Sequence, residues 1–138
     1  MTRASVDRTA ELELVAACLA SPREAARALE VVAPHDFADE RLGRVLLTLD
    51  GRDDVTLAEL NEALERAHPA QGWPDFLRDL VDCDAPPLAA LRLAGVVRRQ
   101  ALARERASLL ARLADGADAA ALARIGEIDA ALASGALR

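Results

Sequence analysis

Residues 88–114 read LAALRLAGVVRRQALARERASLLARLA. No proline interrupts this run of about 27 residues, which as an α-helix extends about 40 Å at 1.5 Å per residue. Gly95 is its only interior weak point. Leu102, Leu109 and Leu113 share one face of such a helix, and Asp115-Gly116-Ala117-Asp118 follows as a turn. Apolar spacing then resumes at Leu122, Ile125, Ile128 and Leu132, giving a last helix from about Asp118 to Ser134. With so short a turn the two helices must fold back on each other. The expected arrangement is an antiparallel helical hairpin with Leu102, Leu109 and Leu113 facing Leu132, Ile125 and Leu122.

Upstream, Asp84-Ala85-Pro86-Pro87 marks a boundary, because two prolines cannot continue a preceding helix but can begin the next. The chain before it divides into five short helices. The first, from about Asp7 to Leu19, carries Leu12, Val15, Ala16 and Leu19 on one stripe. Ser21-Pro22-Arg23-Glu24 has the form of a capping box and opens a second helix through about Val32, with Ala25, Ala28, Leu29 and Val32 inward. Pro34 ends it, and the link Pro34-His35-Asp36-Phe37, anchored by Phe37, leads to a third helix from about Asp39 to Leu49. Thr56-Leu57-Ala58-Glu59 is a second capping box, opening a helix to about Ala67 with Leu57, Leu60 and Leu64 inward. Gly72-Trp73-Pro74 starts a fifth helix, to about Val81, with Phe76, Leu77 and Leu80 as its apolar face. None of the five is long enough to be stable alone, so they must pack on one another. The sequence therefore predicts an all-α chain: a compact bundle of short helices over 1–85, then a long helix and C-terminal antiparallel hairpin over 86–138.

Composition agrees. Of 138 residues, 52% are hydrophobic but only 2% aromatic, so the core is built from Ala, Leu and Val, which suits helix packing better than sheets. The formal net charge is −6. It is unevenly distributed: residues 1–85 hold 9 Arg against 18 carboxylates, and residues 86–114 hold 6 against 1. Arg92, Arg98, Arg99, Arg104, Arg106 and Arg112 form this basic helix. Such a stripe attracts phosphates, but no aromatic residue lies among them to stack bases and the rest of the chain is acidic. Intramolecular pairing with the acidic bundle, or docking on an acidic partner, is the expected use, and direct nucleic-acid binding is not. No apolar run reaches the roughly 18 residues a membrane span needs, and residues 1–10 lack the apolar stretch of a signal peptide, so a soluble, cytoplasmic protein is expected.

The chain offers little catalytic chemistry. It contains no lysine and no GxxxxGK[ST], GxGxxG or HExxH. Cys18 and Cys83 lack the spacing of a zinc site, and Cys18 falls on an inward helix face where a thiol is unreactive. His35-Asp36 has no nucleophile motif beside it, and its default role is that Asp36 caps a turn before the third helix; His68 before Pro69 reads as a helix-end residue. No catalytic residue, metal ligand, cofactor or small-molecule substrate is expected.

Two stretches resemble a known family. Residues 13–22, ELVAACLASP, and 31–41, VVAPHDFADER, are similar to a pattern shared by two related modules. One is the C-terminal helicase-binding domain of bacterial DnaG-type primases; the other is the N-terminal domain of DnaB-type replicative helicases. The Arg-rich helix at 96–105 followed by a terminal hairpin resembles the primase module. Gly72-Trp73-Pro74-Asp75-Phe76-Leu77 resembles a segment of the helicase domain. Gly43 and Val45-Leu46 depart from the larger or aromatic residues often found there. The resemblance implies a non-catalytic module of a primase that tethers it to the replicative helicase within the primosome and modulates the helicase. The alternatives are the collar-forming helicase domain that binds primase, or a free-standing helical adaptor. In the primase reading the hairpin docks on the helicase N-terminal domain, with Arg124, Ile128, Leu132, Leu137 and Arg138 as candidate contacts. Ile128 and Leu132 either present this patch or zip the hairpin shut.

Overall fold

A computed structural model describes residues 3–83 and 89–134, and every regular element among them is helical. In chain order these are α1 (Arg3–Ala20), α2 (Arg23–Leu29), a single 3-10 turn (Pro34–Asp36), α3 (Glu40–Leu49), α4 (Leu57–Ala67), α5 (Trp73–Val81), α6 (Ala90–Asp115) and α7 (Ala119–Ser134). The Pro86-Pro87 pair lies outside the described residues.

Local signals fix several of these ends. Thr56 Oγ1 accepts the Glu59 N–H at 3.1 Å while Glu59 Oε1 accepts the Thr56 N–H at 3.1 Å, so the capping box of α4 is reciprocal. Asp39 caps α3 by accepting the Arg41 N–H at 3.0 Å. Ser21-Pro22-Arg23-Glu24 behaves differently from expectation. The cap of α2 carries no side-chain hydrogen bond, and it is the Ser21 carbonyl that takes the Glu24 N–H, at 2.9 Å. Ser21 also donates its own N–H to the Ala17 carbonyl at 3.1 Å, directly after the end of α1. His68 does end α4, through its backbone: its N–H donates to the Leu64 carbonyl at 2.7 Å and its carbonyl accepts Trp73 Nε1 at 2.8 Å.

Two apolar cores result. The larger gathers Leu14, Val15 and Cys18 of α1, Leu42, Val45, Leu46 and Leu49 of α3, Leu60 and Leu64 of α4, and Trp73, Leu77 and Leu80 of α5. Phe37 is buried there too and anchors the link. Ala90, Leu93, Ala94 and Val97 from the first half of α6 complete it. The smaller core consists of Leu102, Leu109, Ala121, Ile125 and Ile128, with Leu113, Ala131 and Leu132 against it. The two cores thus meet within α6, between Val97 and Leu102.

Two expected core positions are solvent-facing. Leu57 and Leu122 occupy the first turns of α4 and α7, where a helix overhangs its neighbours, and both are exposed. Ala121 takes the inward place at the start of α7. Gly43 acquires a structural reason: a Cβ added there would stand 2.5 Å from the Pro34 carbonyl oxygen, so α3 lies against the 3-10 turn only because the side chain is missing.

Candidate functional site

The middle of α6 crosses from one core to the other with a polar face. Arg98 Nη1 donates to Asp36 Oδ1 at 2.9 Å, and Arg104 Nη2 donates to the Asp36 carbonyl at 2.6 Å. Asp36 is buried, and its second oxygen takes the Ala33 N–H at 2.8 Å, which closes the 3-10 turn. Asp36 thus caps the turn before α3, as expected, and in addition holds α6 against the link. His35 Nε2 stands 3.7 Å from Asp36 Oδ1 with a side chain 83% exposed.

Behind Asp36 is a second buried carboxylate. Glu11 of α1 is fully buried and accepts the N–H groups of Ala38 at 3.0 Å and Asp39 at 3.2 Å, at the entry to α3. Arg104 Nη1 lies 3.9 Å from it. Burial raises the Glu11 pKa, opposed by those two hydrogen bonds and by Arg104. Burial also pushes the Cys18 thiol up to about 12, reinforced by the Glu24 charge, which makes Cys18 a poor nucleophile.

From the hairpin side, Arg124 of α7 grips Glu105 of α6 with two bonds, Nε to Oε2 at 2.7 Å and Nη2 to Oε1 at 3.0 Å, and reaches Glu127 at 3.1 Å. These bonds raise the Arg124 pKa, and the same contact lowers that of Glu105. His35, Asp36, Arg98, Arg104, Glu105 and Arg124 line one cleft of about 340 Å³ where the bundle meets the hairpin.

Of the five residues expected to contact a partner, Arg124 is half-exposed at this cleft. Ile128 is fully buried inside the hairpin and Leu132 is half-buried against the same core, so the two zip the hairpin and present no free patch. Their place on the inner face follows from the i, i+3, i+7 alignment with Ile125. Leu137 and Arg138 lie outside the described residues. Among the described residues, the large apolar side chains the hairpin exposes are Leu110, at 43%, and Leu122, at 59%. Sequence spacing missed Leu122 by assigning it inward.

The remaining arginines of α6 are largely spent inside the chain. Arg106 bonds Asp129 at 2.7 Å, Arg112 bonds Asp118 at 2.6 Å, and Arg99 reaches the Leu132 carbonyl at 3.4 Å. Intramolecular pairing is thus how most of the basic stripe is used. Among the described residues no group of three or more His, Cys, Asp and Glu side chains could hold a metal ion, and no helix is long and apolar enough to cross a membrane. No family model, no curated protein and no solved structure matches the chain.

Proposed function

We propose that the chain is a protein-recognition module that docks on the N-terminal domain of a replicative helicase, of the kind found in DnaG-type primases, and tethers and modulates its partner without chemistry of its own. The observation that carries this reading is the pair of exposed leucines, Leu110 and Leu122, one on each helix of a hairpin whose inner face is already filled. Exposed large apolar groups on a charged helical surface are the usual anchors of helix-on-helix docking. The resemblance of residues 13–22 and 31–41 supplies the choice of partner. The N-terminal domain of a DnaB-type helicase is the second reading, favoured by the segment at Gly72-Trp73, whose Trp73 is fully buried at the start of α5.

Calorimetric titration against a helicase N-terminal domain and, separately, against a primase C-terminal domain distinguishes the two. Leu122→Asp and Leu110→Asp are expected to weaken binding at least about tenfold with unchanged melting, since both side chains are exposed. Undiminished affinity in both variants would move the surface away from the hairpin. Absence of binding to either domain would sink the reading.

A further inference from the structure

His35, Asp36 and Arg98 line not one cleft but two. The second, of about 380 Å³, adjoins the first, and its far wall is Leu29, Val31, Val32 and Pro34. The surface at the root of the hairpin is therefore a shallow groove of two parts joined at Arg98, one walled by Leu29, Val31 and Pro34 with Glu30 at its edge and the other lined by guanidinium groups and their carboxylate partners.

The bonding within the groove decides what it can accept. Glu105 is gripped by Arg124, and Asp36 by Ala33 and Arg98, which leaves the exposed Glu30 as the carboxylate at the rim. Arg124 spends Nε, Nη1 and Nη2 on Glu105 and Glu127. Arg98 is different. A guanidinium has five N–H donors, yet among the described residues Arg98 donates from Nη1 alone, to Asp36, with its side chain 27% exposed. Its Nε and Nη2 edge remains for a carboxylate, the planar anion that a guanidinium fork fits with two parallel bonds. Asp36 need not be displaced.

We propose that this groove binds a short peptide segment in which an apolar side chain adjoins a carboxylate. The apolar side chain packs against Val31 and Pro34, the carboxylate takes the free edge of Arg98, and His35 stands at the mouth. The inference goes beyond the proposed function: it concerns a surface separate from Leu110 and Leu122 and does not require that the partner be a helicase.

N-acetyl-leucine is the minimal probe, because it carries an apolar side chain beside a carboxylate; N-acetyl-leucinamide is the same molecule without the charge. Amide chemical shifts of the full chain, followed by NMR during titration with each, test the groove without any helicase. For so small a ligand a dissociation constant on the order of millimolar is expected. Saturable shifts at Val31, His35 and Arg98, with the amide at least about tenfold weaker, support the proposal. Equal binding of the two probes, shifts confined to the hairpin tip, or no saturation would overturn it. Arg98→Lys keeps a positive charge beside Asp36 but loses the fork, so N-acetyl-leucine should bind at least about tenfold more weakly in a variant whose amide shifts away from the groove show the fold retained. Unchanged affinity in that variant would also overturn it.

Discussion

The bundle and the hairpin are stabilised differently although one helix runs through both. The bundle closes around a large apolar core in which Trp73, with its N–H bonded to His68 and its ring edge-on to Phe76 at 5.8 Å, sits among leucines from every side. The hairpin has a handful of aliphatic contacts and relies on its flanks, where Arg106–Asp129 and Arg124–Glu105 pair across the two helices and Arg112–Asp118 ties the end of α6 to the turn. Apolar burial gives the bundle stability that salt does not screen. Half-exposed ion pairs each contribute at most about 1 kcal/mol and weaken as salt rises. The hairpin should therefore open before the bundle unfolds, although α6 belongs to both.

The largest effects should come from the bundle core. Trp73→Ala removes a fully buried indole and orphans the His68 carbonyl, and is expected to cost about 3–5 kcal/mol in urea unfolding. Ile128→Ala should cost about 2–3 kcal/mol, because two helices can partly collapse on the gap. It should raise amide exchange in α7 and the end of α6 while leaving thiol labelling of Cys18 slow. Rapid Cys18 labelling in that variant would show that the two cores open together. Gly43→Ala, which forces α3 away from Pro34, is expected to cost about 1–3 kcal/mol.

Much of the helical pattern was legible in the sequence, but the expected division at 85/86 does not separate the cores, because Ala90, Leu93, Ala94 and Val97 belong to the larger one. The helix count, the long α6, the hairpin turn and the Thr56–Glu59 box all follow from local spacing, since each signal lies within four residues. Ser21-Pro22-Arg23-Glu24 has the same letters but does not form a box, because no side chain bonds the cap of α2 and only the Ser21 carbonyl takes the Glu24 N–H. Leu57 and Leu122 show the limit of periodicity: spacing identifies a face but not whether the first turn has anything to pack against. The polar junction was hidden for another reason. Asp36 and Arg98 are 62 positions apart, and no local pattern pairs them. Glu11 left a usable trace, since it falls three, four and seven residues before Leu14, Val15 and Cys18, on a face that is otherwise apolar.

The smallest effects concern charge. Arg106→Gln should destabilise the hairpin by less than about 1 kcal/mol at low salt and by nothing measurable at high salt. Glu11 should act in the opposite sense to the hairpin carboxylate Glu105. Its pKa is raised on folding, so the native state holds the proton more tightly and stability falls as pH rises from the usual carboxylate value through the folded pKa. Glu105 is lowered, so its contribution is present above the unfolded value and is lost as pH falls through the folded one. Glu11→Gln should flatten the first dependence in urea titrations across that range and leave the second, while Glu105→Gln should do the reverse.

That the first half of α6 completes the bundle core has a consequence for how the protein is made. The face of α1 that packs on α6 finds its cover only after Val97 has been synthesised. At about 5–20 residues per second, the interval between finishing α1 and finishing that cover is roughly 4–15 s. Throughout it the nascent chain carries the α6-facing part of α1 uncovered. The hairpin, whose two helices are adjacent in sequence, closes within a moment of α7 leaving the ribosome.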